Sequence, residues 1–144
     1  MIIFFVAMDP RGKQRARVTR RGTYTPQETV DAERQIGWEA KIAMNGRKPF
    51  EGPVRLMLEA RFSYPKSWSA KRRQTFWRTS KPDVDNIAKL KDALKGIVWV
   101  DDAQVVELLA RKFYVNERPG LSIQVGSMDD EPPMTPAKSW ASMR

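Results

Sequence analysis

The chain has 144 residues, with 26 Lys and Arg against 17 Asp and Glu, a formal net charge of +9, and neither Cys nor His. The length fits one domain, and the charge is that of a binder of phosphate backbones. Without Cys or His there are no disulfides, no Cys/His zinc sites, no thiol chemistry and no imidazole base.

Residues 2–7 form a continuous apolar run that reads as a buried strand. The run is too short for a membrane span or a signal peptide, and no other stretch is long and apolar enough, so an intracellular, soluble protein is expected. Residues 11–26 are basic and broken by Gly and Pro, which predicts a loop or irregular ribbon. From Pro26 to about Met44 the pattern is helical. Thr25 is placed as the cap, Pro26 at the first position and Glu28 three residues after Thr25; Ala32, Ile36, Ala40 and Ala43 fall on one face.

Residues 53–63 alternate, with Val54, Leu56, Leu58, Ala60 and Phe62 on one side, as a half-buried strand does. Residues 64–81 mix bases with aromatics, and a short helix is expected near Ser69. Asn86 to Lys95 reads as a helix with Ile87, Leu90 and Leu94 toward the core and Gly96 as its stop. Ile97–Val100 is expected to be a short strand delivering Asp101 and Asp102. Strands are expected at 104–115 and 120–125, joined as a hairpin through 116–120. From Ser127 onward no period survives, so the domain is drawn over 1–126 and a disordered tail is expected over 127–144.

Two acidic clusters stand out in this basic chain: Asp83 and Asp85 within Lys81-Pro82-Asp83-Val84-Asp85-Asn86, and Asp101-Asp102. Acidic clusters in a basic protein point to a divalent cation facing a polyanion, because hard cations take carboxylate and phosphate oxygens. Helical spacing places Asp85, Lys89 and Asp92 on one outward face, and Asp102 at the end of a strand able to lie beside them. Three carboxylates and a lysine suit metal-assisted phosphodiester hydrolysis. Two plainer readings stay open on these residues alone. Asp-x-Asp is common at helix N-termini, where it favours the dipole, and Asp-Asp after a strand is an ordinary turn. The bases Lys13, Arg15, Arg17, Arg20, Arg21, Lys71, Arg72, Arg73 and Lys81 flank the acidic clusters and are read as DNA-backbone contacts. Trp68, Phe76 and Trp77 suit either base stacking or a core or dimer contact; Trp99 is read as core.

Taken together, Lys81-Pro82-Asp83-Val84-Asp85-Asn86, Lys89, Asp92-Ala93-Leu94 and Asp101-Asp102-Ala103-Gln104-Val105-Val106-Glu107 resemble the signature of RusA-type Holliday-junction resolvases. Gly12-Lys13-Gln14-Arg15-Ala16-Arg17 with Tyr24-Thr25-Pro26 is similar to the basic loop of many phage and prophage members. The resemblance covers most of residues 1–125. It implies a small α/β (α+β) fold with helices packed on a mixed sheet, a homodimer, and cleavage of four-way DNA junctions with Mg²⁺ or Mn²⁺. It carries the essential carboxylates onto Asp83, Asp85 and Asp102, with Asp101 as a companion metal ligand, and the essential lysine onto Lys89. It further implies action in the cytoplasm of a bacterium or of a phage's host. Two alternatives remain: a broader flap or fork nuclease, and a non-catalytic nucleic-acid binder.

Overall fold

The computed structural model describes residues 1–130. Its centre is a four-stranded mixed sheet in the order β1 (Ile2–Ala7), β6 (Gly120–Ser127), β4 (Val54–Ser63), β5 (Val105–Val115). β6 runs antiparallel to both β1 and β4, while β4 and β5 are parallel. The strands β2 (Arg17–Thr19) and β3 (Gly22–Tyr24) form a separate exposed ribbon. The helices α1 (Gln27–Met44) and α2 (Val84–Ala88) cover one face of the sheet. This is the mixed α+β architecture expected.

β4 takes the inner position because its alternation is the strongest in the chain. Val54, Leu56, Leu58, Ala60 and Phe62 are all buried, against Ile36, Ala40 and Met44 of α1 and Ile87 beyond α2's first turn. β5, with Glu107, Arg111 and Lys112 in its length, takes the edge. That arrangement overturns the expected hairpin between 104–115 and 120–125: β4 lies between β5 and β6. Adjacency in sequence favours a hairpin, but the more apolar strand claims the centre, where both of its edges are paired.

Three local expectations are also corrected. Ile97–Val100 is a turn, not a strand: Ile97 and Val98 donate their N–H groups to Leu94 O at 3.1 and 2.9 Å, and Gly96 N donates to Trp99 O at 2.6 Å. Val98 and Trp99 are fully buried there. A short apolar run cannot by itself separate a strand from a buried turn. The expected 86–95 helix is α2 followed by a 3-10 helix over Lys89–Leu94, which still buries Leu90 and Leu94. Pro26, not Thr25, sits at the N-cap of α1, with no side-chain capping bond.

Ser127, placed in the tail from sequence, closes β6, and Met128–Asp130 make a 3-10 turn whose Met128 N donates to Pro53 O at 2.9 Å. The rest of the expected tail lies outside the described residues. Among those described, no helix is long and apolar enough to cross a membrane.

Candidate active site

β1, β4 and β5 all end on the same side of the sheet, and a cleft of about 650 Å³ opens there. One wall is the loop 9–15 that follows β1. The other is the turn 80–83 and the first turn of α2. Asp83, Asp85 and Lys89 face this cleft, together with Lys81, Lys13, Arg15, Arg11 and Arg78.

The turn that carries Asp83 is clamped through its backbone. Arg78 donates from Nε and Nη2 to Lys81 O at 3.0 and 2.6 Å, and its guanidinium stacks 4.1 Å over the Phe62 ring. Lys112, on the helix-covered face of β5, donates to Ser80 O and Pro82 O at 2.7 and 2.6 Å. Partial burial pushes the Lys112 ammonium below its ordinary pKa; the nearby Asp83 charge opposes this, and Arg78 and Lys81 add to it. The Lys81–Pro82 peptide is cis.

Asp83 occupies the N-cap of α2 but makes no capping bond; its carboxylate meets Lys81 Nζ at 3.2 Å, an exposed pair. The side chains of Asp85 and Lys89 have no hydrogen-bond or ion-pair partner among the described residues. The carboxylates are therefore not consumed in stabilising the helix end, and Lys89 is not tied in a surface salt bridge.

The loop 9–15 is fastened to both helices. Arg11 Nη1 pairs with Glu28 at 2.9 Å, and Gln14 N donates to the buried Thr29 hydroxyl at 3.3 Å. The same Glu28 was expected to complete a capping box. Lys13 N donates to Asn86 O at 2.9 Å. Gly12 is required for this approach, since a Cβ there would lie 2.5 Å from Asn86 Cβ and 3.2 Å from Pro82 Cβ. The Lys13 ammonium sits between Glu33 and Asp92, each at 3.0 Å. Burial works against its charge, yet the two carboxylates raise its pKa above the ordinary value. Asp92 is likewise opposed by burial but held below the usual carboxylate range by Lys13 and Lys91. Asp92, expected beside Asp85 and Lys89, is thus a structural anchor for the loop.

Asp101 and Asp102 do not line the cleft. They sit before β5, at the opposite end of the sheet, and among the described residues no three acidic side chains gather as a metal site. Asp101 caps the 3-10 turn Asp102–Gln104: its Oδ1 accepts from Ala103 N at 3.0 Å, while Gln104 Oε1 accepts from Asp101 N at 2.8 Å. Asp102 Oδ1 accepts from the indole N–H of buried Trp99 at 2.9 Å.

Of the predicted DNA contacts, Lys13, Arg15 and Lys81 reach the cleft. Arg17, Arg20 and Arg21 lie exposed on the β2–β3 ribbon. Arg72 and Arg73 open the 3-10 turn Arg72–Gln74 beside Trp68, with Lys71 at its N-cap. Arg73 there donates to the carbonyls of Trp68, Pro65 and Lys66, and Arg72 stacks on Trp68. Trp68 packs on Tyr64 and Tyr114, a core role; Phe76 and Trp77 stay half-exposed against Phe113. Sequence reasoning missed Arg78 and Lys112 as site residues. Lys112 did carry a signal, a cation at a core-facing parity of β5 between Ala110 and Tyr114.

Two carboxylates on one short segment, one of them unpartnered, are a hard-oxygen donor set that suits Mg²⁺ or Mn²⁺, ions that bind through one or two carboxylates plus phosphate oxygens and water. The cationic walls suit a phosphodiester backbone.

The chain is 37% identical over 82 residues to an uncharacterized protein, YqaN, of Bacillus subtilis (strain 168); the match covers 51% of this chain and 57% of that relative, so the chain spans little more than half the relative's length. The family model described as endodeoxyribonuclease RusA matches residues 7–126. Its span takes in the loop 9–15, α2 with Lys89, and both acidic clusters, and the chain belongs to the RusA endodeoxyribonuclease family.

Proposed function

We propose that this protein is a divalent-cation-dependent, structure-selective endonuclease that resolves Holliday junctions by hydrolysing phosphodiester bonds in paired strands. On this reading it acts as a homodimer, in recombination, repair or phage DNA processing, in the cytoplasm of a bacterium or of a phage's host. The observation that carries the reading is the meeting of Asp83, Asp85 and an unpaired Lys89 in one cleft with cationic walls.

Asp83 and Asp85 would hold Mg²⁺ or Mn²⁺, which when bound supplies Lewis acidity toward phosphate oxygen and toward water. Lys89 then donates to a non-bridging phosphate oxygen as negative charge develops in the attack of water on phosphorus. The P–O bond to the leaving nucleotide breaks, and its oxygen takes a proton. Arg15 and Lys81 hold the backbone on either side, while Arg78 and Lys112 keep the 80–83 turn in place through its carbonyls.

A pure binder is disfavoured, because carboxylates facing DNA weaken binding and Asp83 makes no capping bond to the helix end. Cleavage of fixed and mobile four-way junctions, flaps and forks, each with and without Mg²⁺, tests the reading. Asp83→Asn and Asp85→Asn should abolish cutting and keep or tighten junction binding. Equal cutting of flaps and forks would favour the broader nuclease, and normal cutting by both variants would sink the assignment.

A further inference from the structure

We infer that a hollow beside the catalytic cleft receives one unpaired nucleobase of the DNA strand being cut. Trp68 and Tyr114 line it together with Arg72, Thr79 and Ser80, and Arg78 is common to the hollow and the cleft. The inference rests on the endonuclease reading above and deepens it, naming what is recognised next to the cut.

The first ground is position. The hollow has a volume of about 380 Å³, in the range of small-molecule sites and enough for a single base with its sugar. Thr79 and Ser80 lead straight into the turn that carries Asp83. The three residues from Ser80 to Asp83 span at most about 11 Å, so a strand whose phosphate meets the Asp83–Asp85 carboxylates brings a neighbouring nucleotide past Arg78 to the hollow. A base held in a duplex cannot enter. A base at a branch point can, because unstacking and unpairing cost least where pairing is already interrupted.

The second ground is chemistry. Tyr64, Trp68 and Tyr114 form one aromatic group, with ring centroids 5.0 to 6.1 Å apart. Arg72 lies 4.1 Å over the Trp68 ring. Splayed bases are held on aromatic rings and on guanidinium planes, and hydroxyls and guanidinium N–H groups read their edges.

The third ground is what the polar groups leave undone. In the same turn Arg73 gives its donors to the carbonyls of Trp68, Pro65 and Lys66, which is a structural task. The Arg72 guanidinium and the Thr79 and Ser80 hydroxyls make no hydrogen bond or ion pair among the described residues. A gap left by loop packing alone has no use for free donors grouped beside rings.

Two measurements without divalent cation, so that the strands stay intact, test the inference. In the first, a four-way junction carrying 5-iodouracil at the branch point is irradiated with the parent protein, and the adduct is mapped by mass spectrometry. The adduct should fall on an aromatic of the hollow (Trp68, Trp77 or Tyr114) and be scarce with a fully paired duplex of the same sequence. In the second, Arg72→Lys keeps a cation and loses the planar group. Base stacking is worth from about fivefold to more than a hundredfold in affinity, so this variant should weaken junction binding relative to duplex binding by about fivefold or more. A lysine still serves as a phosphate contact, so a backbone role leaves that ratio as it is in the parent. Both results together support the inference. No adduct, adducts only on other parts of the protein, equal adducts from the duplex, or an unchanged ratio overturns it. A parent that forms the adduct but cuts no junction with Mg²⁺ loses the endonuclease reading and keeps the base-binding hollow.

Discussion

Lys89 is where a plain and a chemical explanation separate most sharply. An exposed salt bridge is worth little, and Lys89 forms none among the described residues. Lys89→Ala should therefore melt like the parent. If its ammonium meets developing charge, single-turnover junction cleavage should fall by on the order of a hundredfold or more, and Lys89→Arg should restore little, because a guanidinium is planar and larger. A normal rate would reduce the site to its carboxylates. Asp92 makes the opposite case. Its folded pKa is lowered below the ordinary carboxylate value by Lys13 and Lys91, against the effect of burial, so its stabilisation is present above the unfolded pKa and is lost as pH falls through the folded pKa. Asp92→Asn should cost up to about 1 kcal/mol at neutral pH, since its side chain is partly exposed, and the gap to the parent should close in acid. Urea melts across pH 2–7 check this; a gap that stays constant would contradict the pairing with Lys13.

At the scale of elements, the cleft depends on how closely a loop approaches a helix. Gly12 sits against Asn86 and Pro82, and any side chain there must lift the 9–15 loop from α2. Gly12→Ala should leave the sheet intact, with a stability loss on the order of 1 kcal/mol, while junction cleavage falls far more than stability does. Thermal melts beside single-turnover rates separate the two, and an unchanged rate would show that the loop wall is not needed. Much at this scale was legible in the chain. β1, β4 and α1 follow from apolar periods, and Ile87, Leu90 and Leu94 are buried as their spacing requires. The split of the 84–94 segment into α and 3-10 parts was not legible, because i+3 and i+4 spacings coexist in Ile87-Leu90-Leu94 and fit both helix types. Nor was the turn at 97–100, where buried Trp99 gives the same apolar run that a strand would.

At the scale of the whole molecule, the net charge of +9 should make DNA binding steeply salt-dependent, but not every base contributes. Arg15 lines the cleft and Arg17 lies on the exposed ribbon. Losing both should lower the slope of log affinity against log salt by about two units. Lys13 is held by Glu33 and Asp92, so Lys13→Ala should lower stability and leave the slope nearly unchanged. Titrations of a junction between 50 and 200 mM salt, a range over which such slopes are steep, would expose an error in either assignment.

The chain by itself determined the chemistry available and the family. The chain has neither Cys nor His, and its two acidic clusters offer carboxylate-held cation chemistry for cutting a phosphodiester. The motif from Lys81 to Glu107 names the group to which the protein belongs, because residue types and short spacings are properties of one dimension. The position of those residues relative to one another is not such a property. Only the tertiary structure placed β4 between β5 and β6, since competition for the buried centre is settled among all strands at once. Only there did Arg78 and Lys112 become the clamps of the Asp83 turn, and only there did Asp102 fall at the far end of the strand from Asp83. A motif that reads as one site in sequence is divided by the length of a single strand, because a parallel β4–β5 pair sends the chain back to the opposite end of the sheet before β5 begins.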